Sequence, residues 1–161
     1  LDFSTTYSYD SDGGLLTAGL DATYLIDFKQ QASTTTPMVE LLDTLYNPVS
    51  LKLRGSLGYS DGGFSGNVFV NYLDSYRVDS TPGSASVDAW TTIDASLSYD
   101  TGDTSPRPLL RNMVFRLSAQ NLFDTDPPET PSATEFGIFG YDATNASPLG
   151  RFVSFEVTKR F

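Results

Sequence analysis

The chain has 161 residues, 39% of them hydrophobic and 13% aromatic, and it carries a formal net charge of −10 with no cysteine and no histidine. This length allows one domain with a sizeable core, and the aromatic content argues against disorder. The acidity argues against a nucleic-acid partner, and the missing residue types remove disulfides, thiolate sites, histidine-based triads and the usual zinc ligands.

Hydrophobicity recurs with a period of two along the chain, and no apolar run nears the roughly 20 residues of a spanning helix. The first segment, LDFSTTYSY, sets Phe3, Tyr7 and Tyr9 on one face. LTAGLDATYLIDF sets Leu16, Ala18, Leu20, Ala22, Tyr24, Ile26 and Phe28 against Thr17, Asp21, Thr23 and Asp27. VSLKLRGSLGY groups Val49, Leu51, Leu53, Leu57 and Tyr59 opposite Lys52, Arg54 and Ser56. GFSGNVFVNYL groups Phe64, Val68, Val70 and Tyr72. TTIDASLSYD sets Ile93, Ala95, Leu97 and Tyr99 against Thr92, Asp94, Ser96 and Ser98. RNMVFRLSAQ sets Met113, Phe115, Leu117 and Ala119 against Arg116, Ser118 and Gln120. The last segment sets Val153, Phe155, Val157 and Phe161 against Ser154, Glu156, Thr158 and Arg160, and Lys159 breaks its apolar row.

These segments predict an all-β chain, residues 1–161 forming a single segment: an antiparallel up-and-down meander of about seven long strands. Each is near the ~9–11 residues that cross a bilayer when tilted, whereas soluble strands usually have about 5–6. Asp12-Gly13 and Asp61-Gly62 read as the central pairs of two type I′ hairpins, with Tyr9 facing Leu16 and Tyr59 facing Phe64. The 101–108 connection is moderate in length. The connections near 30–48, 77–89 and 124–149 are long and rich in Ser, Thr, Pro and Asp. In the first of them, Thr36 and Pro37 could cap and open a short helix.

Short turns at one rim and long loops at the other are the layout of outer-membrane barrels. Aromatics predict a girdle at each interface: Tyr9, Tyr59, Phe64, Tyr99 and Phe161 at the short-turn rim, and Phe28, Tyr72 and Trp90 at the long-loop rim. A soluble β-sandwich also alternates and is the competing architecture.

The C-terminal third resembles the end of a TonB-dependent outer-membrane receptor. The residues that carry the resemblance are Asn121, Leu122, Phe123 and Asp124 closing a strand, Pro127 and Pro128 after it, Tyr141 in the next loop, Gly150 and Arg151 opening the last strand, and terminal Phe161. The segment around Asp94 and the one entered by Pro48 are similar too, so the likeness covers most of 45–161. It implies the C-terminal part of a transmembrane β-barrel of about 22 strands with a plugged lumen, in the outer membrane of a Gram-negative bacterium. Seven strands cannot close such a barrel, so the chain is expected to be a fragment without the plug domain and the N-terminal strands.

The resemblance also implies partners: outer-membrane lipid, the barrel-assembly machinery, TonB through the missing N-terminal region, and a transported ligand that the sequence does not name. The ligand classes are a ferric siderophore, cobalamin or an oligosaccharide. Val153, Phe155, Val157 and Phe161 match the assembly signal, an edge recognised by strand addition; an interfacial anchor is the plainer role for Phe161. Lys52, Arg54, Asp94, Arg116, Glu156 and Arg160 share the polar face. Asp94 is expected opposite Arg116, and cross-strand ion pairs are the first reading of these charges. Contact with a plug domain or a ligand path is the second.

In the last long loop, Asp124, Asp126, Glu129, Glu135 and Asp142 bring five acids without a base. They read as a solvated acidic surface ahead of a Ca²⁺ site, because the spacing of an EF-hand is absent. Phe136, Ile138, Phe139 and Tyr141 in the same loop could stack on a ligand. No cofactor and no enzyme is expected, since scattered Ser and Asp have no His to act as base and GDTSPR lacks a phosphate-loop ending. Two other readings stand beside the receptor: a small passive or structural outer-membrane barrel, and a soluble all-β binding domain.

Overall fold

The computed structural model describes residues 1–103, 105, 107–130 and 140–160. Its strands in chain order are β1 (Asp2–Ser11), β2 (Gly14–Tyr24), β3 (Lys29–Gln30), β4 (Val39–Glu40), β5 (Leu51–Asp61), β6 (Phe64–Leu73), β7 (Tyr76–Arg77), β8 (Ser86–Val87), β9 (Trp90–Asp100), β10 (Met113–Gln120) and β11 (Phe152–Lys159). One 3₁₀ turn, Pro108–Leu110, lies between β9 and β10. The seven long strands form one antiparallel sheet in the order β1-β2-β5-β6-β9-β10-β11, and β3-β4 and β7-β8 are two small ribbons in the long loops. β1 and β11 each have one neighbour, so the sheet is open among the described residues.

Period-two patterning fixes the register, because a one-residue slip would carry every apolar side chain to the other face. One row runs Tyr9, Leu16, Tyr59, Gly66, Leu97, Leu117, Phe155 across all seven strands. The adjacent row on the other face runs Ser8, Thr17, Gly58, Asn67, Ser96, Ser118, Ser154. The apolar face is open: Tyr7 is 65% exposed, Leu57 54%, Leu97 50% and Phe155 67%. Among the described residues no second sheet or helix lies over it.

The enclosed core sits instead at the long-loop end. Val49, Leu73, Tyr76 and Val87 are buried there, with Leu45, Val78 and Trp90 packed around them. Two residues expected on the apolar face, Val49 by alternation and Trp90 as a girdle aromatic, lie in or against this cluster. Val49 precedes β5 and is turned into the loop core. Trp90 pairs with Leu73, which pairs with Lys52, so its indole lies on the polar side and not in an outer aromatic girdle. Val49 stands beyond the strand end, where alternation lapses, whereas Trp90 keeps step with Thr92 and Asp94 on the polar face.

Other differences are local. β2 ends at Tyr24, short of Phe28. No helix forms after Thr36: Glu40 instead accepts from the Phe28 amide at 2.8 Å and the Leu42 amide at 3.1 Å, holding the β3-β4 ribbon. The first hairpin turns at Asp12-Gly13 with Tyr9 opposite Leu16, as expected, but its positive φ falls on Gly14 (112°), so the turn is not type I′. The second turns at Gly62-Gly63, which puts Tyr59 opposite Gly66. That is a shift of two positions, so the faces are kept. A Cβ on Gly63 would run into the Asp100 carbonyl, which makes glycine obligatory beside β9.

Candidate functional site on the polar face and the loop end

The polar face carries one connected network. Asp94 on β9 accepts from the Asn121 amide at 3.0 Å through one oxygen and from the Asn71 side chain at 3.0 Å through the other. Asn71 on β6 also donates to Thr92 at 3.2 Å and accepts from Arg54 of β5 at 2.5 Å. Arg54 lies 3.9 Å from Asp94 and 4.4 Å over the Phe69 ring. Cross-strand register brings these side chains together, and charge-assisted bonds hold them. With Arg54 about half exposed, the ion pair itself contributes little; the amide bonds fix the geometry.

Asp94 does not lie opposite Arg116. Arg116 faces Ser98 and Glu156, about 13 Å along the sheet from Asp94. The β9-β10 connection is longer on the β10 side, with the 3₁₀ turn in it, and that moves the register. Glu156 accepts from Thr158 at 3.0 Å. Lys52 faces Thr23 and Leu73. A cavity of about 190 Å³ opens beside Asp94, bounded by Asn71, Trp90, Gln120 and Leu149. That is below the roughly 300–1,000 Å³ of ligand pockets, so it suits waters or one small group.

The motif residues around Asp124 and Gly150 meet in space. Asn121 and Asp124 adopt positive φ (46° and 59°), bending the chain out of β10. The Asn121 side chain accepts from the Thr125 amide and donates to the Thr125 carbonyl, both at 2.9 Å. The Leu122 amide donates to the Ile93 carbonyl at 2.7 Å, and Phe123 is exposed. Asp124 accepts from the Arg151 amide at 2.6 Å, and the Arg151 guanidinium reaches the Leu122 carbonyl at 3.4 Å. A Cβ on Gly150 would collide with the Asp124 carboxylate. These residues therefore splice the end of β10 to the start of β11.

Asp142 departs from the solvated acidic surface expected of its loop. It is 1% exposed and binds the Tyr46 amide at 3.0 Å, the Thr144 amide at 2.9 Å and the Asn145 side chain at 2.9 Å. Asn145 also donates to the Asn47 carbonyl at 2.8 Å. A buried carboxylate needs such donors. Burial pushes the Tyr76 phenol well above the ordinary tyrosine range, and the Asp142 charge adds to the shift. Asp142 thus clasps the last long loop to the first, above the β7-β8 ribbon. Its sequence neighbours gave no sign of this; a lone acid between aromatic and small residues looks the same whether buried or wet.

Val153, Phe155 and Val157 lie exposed on the outer strand β11. Phe136, Phe139, Ile138, Glu135 and Phe161 fall outside the described residues. Tyr141 is half-buried beside Asp142. Among the described residues no cluster of three or more His, Cys, Asp or Glu is placed to hold a metal.

Fold and site together define an all-β chain, nearly without helix, built as an antiparallel seven-stranded meander. No family model, no curated protein and no solved structure matches it.

Proposed function

We propose that this chain forms part of the wall, outer loops and final strand of a TonB-dependent outer-membrane receptor. The whole protein would take up a scarce nutrient, a ferric siderophore, cobalamin or an oligosaccharide, through a plug that TonB engages. The observation that carries this reading is the uncovered apolar face. Leu, Val, Phe and Tyr stand half-exposed in rows across seven strands of 8–11 residues. A soluble sheet hides such a face under a second layer, whereas hydrocarbon covers it in a barrel. The opposite face carries Ser, Thr, Asn and the Arg54–Asp94 network, as a wet interior requires.

The open edges agree with this role. β1 and β11 leave a row of backbone donors and acceptors for further strands of the same wall. On β11 the exposed Val153, Phe155 and Val157, followed by Phe161, have the alternation that strand-addition recognition uses. The proposal is tested by fractionating cells that make the full protein and measuring nutrient uptake with and without TonB. Recovery in the outer membrane with TonB-dependent uptake is expected, and recovery in a soluble fraction refutes it. Deleting Phe161 is expected to lower surface abundance; unchanged insertion removes the assembly role.

A further inference from the structure

The β9-β10 connection places cations beside an apolar groove. Lys159 pairs with Met113 and occupies the apolar row of β11, one same-face step of about 7 Å beyond Val157. Its ammonium turns to the rim and donates to the carbonyls of Leu109, at 3.3 Å, and Arg111. The Arg111 Nε donates to the Ser105 carbonyl at 2.9 Å, and Arg107 stands at the start of the same 3₁₀ turn. Leu109, at the apex, is 86% exposed. Among the described residues no carboxylate lies within ion-pairing distance of Lys159, Arg107 or Arg111. The neighbouring Arg160 is paired with Asp100 at 3.7 Å on the polar face. Lys159, Arg107 and Arg111 thus gather, with Asp103 in the same connection but outside ion-pairing distance, at one corner of a chain of net charge −10.

On the apolar face next to it lies a groove of about 180 Å³ between Phe64, Leu97, Tyr99, Phe115, Leu117 and Phe155. Phe115 faces Tyr99 on one side and Val157 on the other, so the rim end of the groove adjoins Lys159.

We propose that this corner binds an anionic phospholipid. Arg111 and Arg107 receive the phosphate on the turn that Lys159 fastens, one acyl chain lies along the groove, and Leu109 sits among the headgroups. Charge complementarity selects the headgroup, and the adjoining aromatic groove selects the tail; free phosphate uses only the first. Lysine on a lipid-facing row is otherwise costly, and bending to the rim onto the Leu109 and Arg111 carbonyls lowers that cost. The inference rests on the membrane reading above.

The test reconstitutes the whole receptor proposed above in phosphatidylcholine vesicles with a trace of spin-labelled phosphatidylglycerol or spin-labelled phosphatidylcholine. The immobilised fraction of each label is read by electron paramagnetic resonance. We expect a roughly fivefold preference for the anionic label, the size of one cation's attraction at a membrane surface. It falls to near parity in Arg107→Gln/Arg111→Gln, which leaves the Lys159 fastening in place. It persists in Arg77→Gln, at the opposite rim. Equal immobilisation of both labels, or a preference surviving the double substitution, overturns the site and leaves the membrane reading standing. Immobilisation of neither label removes the membrane reading and the site with it.

Discussion

Asn67 and Val68 are consecutive, both exposed, and near the middle of β6, yet they point to opposite faces. Asn67 lies between Gly58 and Ser96, and Val68 between Leu57 and Ala95. An arginine placed at either site meets no buried partner, so in water each substitution changes stability by no more than about 0.5 kcal/mol. In a bilayer the two separate. Val68→Arg puts a guanidinium at mid-strand depth in hydrocarbon, which costs about 2–4 kcal/mol, a factor of roughly 30 to 1,000 in the unfolding equilibrium. Asn67→Arg stays on the wet side and costs about as little as in water. The assay is reversible urea unfolding, in phosphatidylcholine vesicles, of the whole receptor proposed above, followed by the loss of β-structure in circular dichroism. Equal effects of the two substitutions in vesicles would refute the assignment of Val68 to lipid.

The remaining predictions concern the loop end and the splice. Asp142→Ala leaves the Tyr46 and Thr144 amides without their acceptor. It should cost about 3 kcal/mol and raise amide exchange over 43–48 and 142–146 while protection of β5 and β6 holds; unchanged exchange in the loops would contradict the clasp. Gly150→Ala should cost about 1–3 kcal/mol through overlap with Asp124, and much less in an Asp124→Ala background, so strictly additive penalties would exclude that contact. The amide of Phe28 first, and then that of Leu42, hold the Glu40 carboxyl below its ordinary 4.5. The unfolded chain therefore binds the proton first as pH falls. The ribbon's support is complete above about 4.5 and is lost as pH drops through the folded value. Exchange of the Phe28 amide between pH 6 and 3 should show this, and Glu40→Gln should abolish the dependence.

Strand identity and facing were legible because every second residue carries the signal. Leu57, Val68 and Leu97 stand on the face that alternation assigns them. The second hairpin shows the limit. Three candidate positions, Asp61, Gly62 and Gly63, permit turns two register positions apart, and both keep the faces, so patterning could not choose between them. Close approach of the Asp100 carbonyl decides for Gly62-Gly63. Val49 was misplaced because alternation was carried past the strand end into the loop core, and Trp90 because it was read as a girdle aromatic although alternation from Thr92 and Asp94 puts it on the polar face. Asp94 was visible as a charge on the polar face, but its partners Asn71 and Asn121 are uncharged amides, and only the register brings them to it. The β3-β4 and β7-β8 ribbons have two residues per strand, too few for any period to show.

Neighbours in the sheet are also successive long strands in the sequence. The clasp is different: Tyr46 reaches Asp142 across 96 positions, and Asn47 reaches Asn145 across 98. Closing so wide a span carries an entropic penalty that adjacent hairpins avoid, and it is met only after the intervening strands have shortened the path. Loop-closure entropy therefore favours an order of assembly with the wall first and the crown afterwards. An early-stage intermediate would be a fully zipped palisade whose top has not yet been laced.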